Sequence, residues 1–133
     1  MLDDLIARLE AATEPTRELF LAAYEAVYGP AEESNFQVAW RFASLLDAKA
    51  WTDAALMLVP PHWWWTCGNC ELSGHVTIGP DYNGSHGDEL KRAWPEEIWH
   101  EGIDADVRSG SGIDRVCRAI CIAALKARKE ADK

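Results

Sequence analysis

The amino-acid sequence predicts an α+β fold in which a small antiparallel β-sheet is sandwiched between α-helices, in α/β/α layers. Apolar residues recur with helical spacing through residues 2–27 and again through residues 113–124. Between these segments, residues 62–66 are rich in β-favouring tryptophan and threonine. Apolar and polar residues then alternate through residues 73–79, as in a strand with one buried face. A block of helices, a block of strands and a final helix are typical of the α+β class.

Four helices are predicted before the strands. A short amphipathic helix opens the chain, and a second follows with Thr13 as its N-cap and Pro15 in its first turn. Gly29 is expected to end the second helix, and a third is expected over Phe36–Lys49. A shorter fourth helix is predicted over residues 53–59, because two prolines directly after it cannot continue a helix.

The strands are predicted to form a hairpin. Residues 62–66 are expected to be the first strand, and residues 73–79 the returning strand. Between them lies a CGNC sequence, whose Gly68 and Asn69 suit the positive-φ positions of a tight turn. One or two further strands are expected within residues 94–107.

A long C-terminal helix is the clearest predicted element. Six residues at helical spacing form one continuous face: Ile113, Val116, Cys117, Ile120, Cys121 and Ala124. Ser109 or Ser111 is expected to cap this helix, and Asp114 in its first turn is expected to pair with Arg118.

Length and charge limit the classes of function. At 133 residues the chain is predicted to be a single domain, residues 1–133, and its net charge is −9. Residues 81–106 hold eight acids and two bases and are interpreted as an insertion or an irregular acidic segment. Residues 107–133 hold three acids and seven bases, spread along the final helix. An acidic body argues against direct nucleic-acid binding, which needs clustered Lys and Arg.

No membrane span or targeting segment is predicted. No stretch approaches the roughly 20 apolar residues that a transmembrane helix needs. The N-terminal sequence has early acids and polar residues within its apolar part, which is not the pattern of a signal peptide. We therefore expect a cytoplasmic protein without a membrane partner, in which structural disulfides are disfavoured.

Three stretches together resemble the phage ABA sandwich domain family of small tailed-phage and prophage proteins. They are LIARLEAATEPTREL near the N-terminus, DAALMLVPPHWWW in the middle and GIDRVCRAICIAALKAR near the C-terminus. The resemblance implies a phage origin and helices packed on both sides of a sheet, but no established activity. The helical stretch at residues 36–49, residues 81–106 and the CGNC turn depart from the pattern of this family.

The four cysteines allow a zinc site or plain burial. Cys67 and Cys70 have the spacing of a zinc knuckle, and Cys117 and Cys121 lie one turn apart on a helix, so the four are an alternative metal-ligand set. Against this, the helical pair lies within an apolar stripe, where cysteine packs as a small hydrophobe. No metal or other cofactor is the favoured prediction, and zinc is the alternative. A redox CxxC is disfavoured, because such motifs begin a helix, whereas this one follows a strand.

Three consecutive tryptophans raise the choice between core and binding surface. In a strand, Trp63 and Trp65 face one way and Trp64 the other. If helices cover both faces of the sheet, all three belong to the core, which is the favoured interpretation. An uncovered face would instead offer tryptophan to a partner.

The acidic run EEIWHEGIDAD is the predicted partner-binding segment. Carboxylates around an aromatic anchor can bind a basic protein quickly through electrostatic steering. The residues predicted to do this are Glu96, Glu97, Trp99, Glu101, Asp104 and Asp106. The alternative is a solvated loop, and a divalent-metal site from the last three acids matches no loop signature.

No catalytic signature is present, so the protein is predicted to be non-enzymatic. Neither a GxSxG nor an HExxH sequence occurs, and the adjacent Ser85 and His86 of the loop at residues 81–87 are explained by loop composition. The first hypothesis is a phage accessory protein that binds a basic surface of a host or phage protein in the host cytoplasm, and its most specific form is an anti-CRISPR-like inhibitor of host defence. A small-molecule or zinc-binding domain and a virion or assembly component are the alternatives.

Overall fold

The computed structural model describes residues 2–132, and the predicted α+β class, with a small antiparallel sheet packed against helices, is confirmed. Within these residues the helices are α1 (Leu2–Ala11), α2 (Arg17–Tyr28), α3 (Phe36–Asp47), α4 (Trp51–Leu56), α5 (Gly87–Ala93), α6 (Glu97–Glu101) and α7 (Ile113–Ala131). The strands are β1 (Trp63–Asn69), β2 (Gly74–Pro80) and β3 (Ile103–Val107), and a short 3-10 helix (Glu33–Asn35) precedes α3. Among the helices so described, none is long and apolar enough to cross a membrane.

The three strands form one antiparallel sheet in the order β1-β2-β3. The register pairs Trp65 of β1 with Ile78 of β2, and Val76 of β2 with Ala105 of β3. Directly paired residues of antiparallel strands share a face, and three of these four side chains are buried. The register therefore gathers apolar side chains of β2 and β3 on one face, which α7 covers.

Helix α7 lies between the sheet and the N-terminal helices. It contacts β2 and β3 on one side and α1, α2 and α4 on the other. Every residue from Val116 to Leu125 is buried, including Ala119 and Ile122, which lie outside the predicted apolar face. Ile113, predicted to lie on that face, is 62% exposed. The helix is apolar over most of its circumference because it is covered from both sides.

Several predicted helix boundaries are wrong by a few residues. The N-cap of α2 is Thr16 rather than Thr13, because Thr16 Oγ1 accepts a hydrogen bond from the Leu19 amide, 3.2 Å away. Helix α3 ends at Asp47, two residues before the predicted end, and α4 runs from Trp51 to Leu56 rather than over residues 53–59. The end of α2 at Gly29 is as predicted, since Gly29 adopts a positive φ of 81° there.

The predicted turn at CGNC is also wrong, because Cys67, Gly68 and Asn69 continue β1. The hairpin turn follows at residues 70–73 and is closed by the Cys70 amide, which donates to the Ser73 carbonyl at 2.9 Å. Gly68 lies within a strand rather than in a turn, and the His75 ring packs over it. A Cβ atom there would lie 2.8 Å from Nε2 of the His75 ring, which covers it from the paired strand.

Residues 81–106 are regular over more than half of their length. They contain α5, α6 and most of β3, whose Asp104 pairs with Thr77 of the central strand. The expectation of one or two further strands within residues 94–107 is confirmed by β3, although a helix that was not predicted, α6, occupies residues 97–101. That the segment is an insertion stays a prediction.

The start of α7 differs from its prediction in two ways. Gly112 occupies the N-cap position without a side-chain cap, so neither Ser109 nor Ser111 caps the helix. Arg118 does not pair with the carboxylate of Asp114. Its Nε instead donates to the Asp114 carbonyl oxygen at 2.9 Å, and its side chain is completely buried.

Candidate functional site

Strand β3 presents two carboxylates on the outer face of the sheet, away from α7. Ile103, Ala105 and Val107 are buried, whereas Asp104 and Asp106 between them are exposed. This alternation follows from the pleat of a strand that is covered on one face only. Two of the predicted partner-binding residues therefore lie side by side on an accessible surface.

The neighbouring strand continues this outer face with polar side chains. Thr77 donates from Oγ1 to Oδ1 of Asp104 at 2.5 Å, which holds the aspartate against the sheet. His75, paired with Asp106, is exposed, and so is Thr66 of β1. The outer face at this end of the sheet therefore carries polar groups that solvent or a partner can reach.

The three consecutive tryptophans are not all core, because the helices cover the sheet mainly on one face and cover its edge strand β1 less than β2 and β3. Trp63 is buried, Trp64 is half-buried on the outer face, and Trp65 is 47% exposed although it faces the same way as Trp63. Trp65 lies on β1, an edge strand that α7 covers far less than it covers β2 and β3. Trp64 packs closely over Gly79 and Gly102, where a Cβ atom would lie within 3 Å of its ring.

Helix α6 places three more carboxylates before β3. Glu96 is its N-cap residue, and Glu97 and Glu101 lie in the helix, all three exposed. We name the acidic surface from these residues and the two of β3: Glu96, Glu97, Glu101, Asp104 and Asp106. Across residues 2–132, the ion pairs involve other acids, and none of these five carboxylates has a salt-bridge partner.

An aromatic group stands within the same segment. The ring of Trp99, half-buried on α6, stacks on that of Tyr82 with centroids 6.2 Å apart and planes inclined by 25°. Trp99 Nε1 donates to the Trp94 carbonyl at 3.0 Å, and the Tyr82 hydroxyl lies 2.8 Å from Nδ1 of His100. The ammonium of Lys91 lies 5.8 Å from the centroid of each stacked ring. We call the two stacked rings the Tyr82–Trp99 pair.

Three residues of this group, Tyr82, Lys91 and His100, were not predicted from the sequence. Tyr82 lies in a segment whose composition indicates only a loop, and Lys91 lies on α5. These residues meet Trp99 because α5 and α6 fold back toward the loop, which no local periodicity shows. An acidic segment that also holds two tryptophans, a tyrosine and two histidines is the one sequence signal for an aromatic group.

Apart from the acidic surface, a polar cleft lies where the loop at residues 81–87 meets the start of β1. It encloses about 280 Å³ between His62, Asp81, Ser85 and His86, with Trp63 and Trp64 as further walls. The imidazole rings of His62 and His86 stack with centroids 3.5 Å apart. Ser85 Oγ lies 3.2 Å from Nδ1 of His86, and His62 has a backbone φ of 68°, which is rare for a residue other than glycine.

The structure does not bring the four cysteines together, so the alternative zinc site is wrong. Cys117 and Cys121 are buried in α7, and burial raises the pKa of Cys117 to about 12 and that of Cys121 well above its usual range. Cys67 and Cys70 are exposed on β1 and the hairpin turn. Across residues 2–132, no group of three or more His, Cys, Asp or Glu residues could hold a metal ion, which also excludes the Glu101, Asp104 and Asp106 alternative.

The extended backbone also argues against a redox pair. Cys67 lies within β1, and Cys70 directly follows that strand. Residues three apart in a strand are separated by about 10 Å and point to opposite faces. A disulfide needs Cα atoms within roughly 7 Å, so bridging these two thiols would require the hairpin end to rearrange.

Comparison with known proteins adds no relative, because no protein-family model, curated protein or solved structure matches this chain. The resemblance to the phage ABA sandwich domain family therefore stays a prediction.

Proposed function

We propose that this protein is non-enzymatic and acts by binding a protein partner with a basic surface through its acidic surface. The observation that supports the proposal is that the five predicted carboxylates are exposed and lack intramolecular ion pairs within the described residues. A partner that neutralised them would not have to break existing salt bridges first. The interaction would then draw on charges that the folded protein leaves uncompensated.

The surroundings of the acidic surface suit protein binding. The net charge of −9 attracts a basic partner over a distance of about a Debye length, which speeds the encounter. The half-buried ring of Trp99 lies in the same helix as Glu97 and Glu101, and tryptophan is enriched among residues that carry interface energy. Charge would therefore supply steering and register, while the aromatic group would supply contact area.

The class of partner rests on the resemblance to phage proteins. A protein of the host or of the phage, met in the cytoplasm of the host cell, is the partner that this resemblance favours. An inhibitor of host defence that acts as anti-CRISPR proteins do is the most specific form of the proposal. Direct nucleic-acid binding is disfavoured, because an acidic surface repels phosphate groups.

The test reverses charge on α6. Changing Glu96, Glu97 and Glu101 together to lysine shifts the net charge from −9 to −3. All three side chains are exposed, so the variant is expected to fold. We expect proteins retained from a host lysate by the wild-type chain to be lost from this variant.

A matched control separates the site from total charge. Glu10, Glu14 and Glu33 are exposed, lack salt-bridge partners within residues 2–132 and lie outside the acidic surface. Changing these three to lysine also shifts the net charge from −9 to −3. A partner that binds the wild type and this control, but not the α6 variant, supports the proposal. Equal loss from both variants would show that only net charge matters.

A small-molecule site in the cleft beside His62 and His86 is the second candidate. Trp63, which forms part of its wall, is buried and its Nε1 has no hydrogen-bond partner. An unsatisfied buried donor and a strained backbone at His62 are features that recur at ligand sites. A thermal-shift screen with nucleotides tests this candidate, and a stabilising ligand should lose its effect when His86 is changed to phenylalanine.

A further inference from the structure

The Tyr82–Trp99 pair already holds a cation in the free protein. The ammonium of Lys91 lies 5.8 Å from both ring centroids, within the distance at which a cation is attracted to the face of an aromatic ring. Lys91 is one of only two bases in residues 81–106, and Arg92 is the other. One of the two cations available in this segment is therefore placed against the aromatic rings.

Both rings are held in position through their polar atoms. Trp99 Nε1 donates to the Trp94 carbonyl, and the Tyr82 hydroxyl is hydrogen-bonded to His100. The His100 ring also meets the Tyr82 ring edge-on, with planes inclined by 81°. These bonds use the edges of the rings and leave free the face of each ring that is turned away from the other, and both rings are only half-buried. Pre-positioned aromatic groups of this kind bind a cation without first having to be ordered.

We propose that the Tyr82–Trp99 pair is a binding site for a lysine side chain of the partner, and that Lys91 occupies it until the partner arrives. This inference rests on the proposed function and adds the side chain that the surface recognises. An ammonium is favoured over a guanidinium because an ammonium is the group that the rings hold in the free protein. The unpaired carboxylates of α6 would attract the same cation.

Lys91 is exposed, so it can leave the rings without opening the core. Its departure would cost one cation–π contact, which an incoming lysine would restore. The contact of Lys91 with the rings would thus compete with the incoming lysine and weaken the binding of that lysine by a fixed factor. Removing the ammonium of Lys91 should therefore strengthen binding of an external cation.

The experiment compares two variants of equal charge. Lys91→Met removes the cation at the rings but keeps a side chain of similar length. Arg92→Met removes the neighbouring cation, which is exposed and, among the cation–π contacts of residues 2–132, makes none with these rings. The probe is a peptide of alternating glycine and lysine, and its dissociation constant is measured by calorimetry at low salt. We expect Lys91→Met to bind the peptide about two- to fivefold more tightly than Arg92→Met, as an exposed cation–π contact implies.

A spectroscopic readout locates the peptide. The indole Nε1–H resonance of Trp99, assigned through its absence in Trp99→Phe, should shift when the peptide is added to Lys91→Met. Equal affinities of the two methionine variants would overturn the inference, and so would an unshifted Trp99 resonance at saturating peptide.

The inference and the proposed function can fail separately. Suppose that charge reversal on α6 abolishes binding of a natural partner, but Lys91→Met and Arg92→Met bind that partner equally. Binding through the acidic surface is then supported, and the lysine site is refuted. If the peptide binds at Trp99 but charge reversal on α6 leaves retention from a lysate unchanged, the lysine site stands and the proposed function is refuted.

Discussion

The guanidinium of Arg118 donates from Nη1 to the carbonyl oxygen of Leu9 at 3.1 Å, joining α7 to α1 across 109 positions of the chain. The same nitrogen also donates to the Ala12 carbonyl and, at 3.0 Å, to the hydroxyl of Ser109. Nη2 donates to the Ser109 carbonyl at 2.7 Å. The charge of this buried arginine is thus met by carbonyl oxygens, two of them, those of Leu9 and Ala12, at the negative C-terminal end of α1.

Replacing Arg118 by methionine should destabilise the protein strongly. The variant would leave the carbonyl oxygens of Leu9 and Ala12 buried with fewer donors, which costs about 2–4 kcal/mol of unfolding free energy. Urea denaturation followed by circular dichroism measures this difference. Arg108→Met is the control, because Arg108 is exposed in the preceding segment and should change stability by less than about 0.5 kcal/mol. Similar midpoints for the two variants would contradict the buried network.

Gly102 should not tolerate a side chain. Its φ is 72°, and a Cβ atom there would lie 2.5 Å from the Ile78 carbonyl oxygen and 2.9 Å from the Trp64 ring. Gly112→Ala is the matched control, because Gly112 also has a positive φ, 56°, but has open space around its Cα. We expect Gly102→Ala to lose about 1–3 kcal/mol more stability than Gly112→Ala, measured by the same denaturation. Equal losses would contradict the close approach of the Ile78 carbonyl and the Trp64 ring to Gly102.

Two aromatic residues on α3 should differ sharply in their effect on stability. Phe42 is completely buried, and the centroid of its ring lies 4.8 Å from that of Tyr24. Phe42→Ala should therefore lower the free energy of unfolding by about 3–5 kcal/mol. Trp40 is 66% exposed, and Trp40→Ala should change stability by less than about 0.5 kcal/mol. Thermal denaturation distinguishes the two outcomes. A large loss for Trp40→Ala would show that α3 faces the core differently or that Trp40 is covered in an oligomer.

Cys70 should be the most reactive thiol near neutral pH. The thiol of Cys70 is hydrogen-bonded to the backbone of Leu72 and Ser73 and to the Ser73 hydroxyl. These hydrogen bonds hold its pKa below the ordinary value of 9.0. A lowered pKa leaves more of the reactive thiolate at pH 7 to 8, so its alkylation by iodoacetamide should reach its half-maximal rate below pH 9. Mass spectrometry of Cys67→Ser protein measures this rate, with Cys117 and Cys121 unmodified until the protein unfolds.

Ser73→Ala is the control for the thiol prediction. It removes one hydrogen-bond partner of Cys70, so the midpoint of the rate profile should move to higher pH. Alkylation of Cys117 or Cys121 in the folded protein at the same rate as Cys70 would contradict the burial of α7.

Binding to the acidic surface should weaken with salt. Exposed carboxylates are screened beyond about 10 Å at 0.1 M salt and beyond about 3 Å at 1 M. We therefore expect the affinity of the glycine–lysine peptide to fall steadily between 50 mM and 500 mM sodium chloride, measured by calorimetry. An affinity that rose with salt would indicate apolar binding, for example at the exposed Trp65.

Much of the fold was predictable because its signals are local. The apolar period of α7 spans residues 113–124, and the end of α2 depends on Gly29, a glycine within one turn of the last helical residues. The exposure of Glu96, Glu97 and Glu101 also follows from charge, since unpaired carboxylates are rarely buried. The class of the fold and part of the candidate surface could therefore be predicted from the sequence.

The hairpin shows where local signals fail. Gly68 and Asn69 suit a tight turn by themselves, but pairing of Cys67 with Val76 extends β1 through them. The gain from aligning two strands across several residues outweighs the preference of one dipeptide. The turn position is thus a property of the pair of strands rather than of the CGNC sequence.

By itself the sequence determined the α+β class, the order of the N-terminal helices, the hairpin and the C-terminal helix, and the acidic character of residues 81–106, because these depend on residue type and spacing along one segment. Only the tertiary structure decided that Trp65 is exposed while Trp63 is buried. It also decided that Arg118 donates to the carbonyl of Leu9 near the end of α1, and that Lys91 contacts the Tyr82–Trp99 pair. Each of these depends on which distant segments come into contact. Contacts of that kind are selected by the packing of the whole chain and leave no period in the sequence.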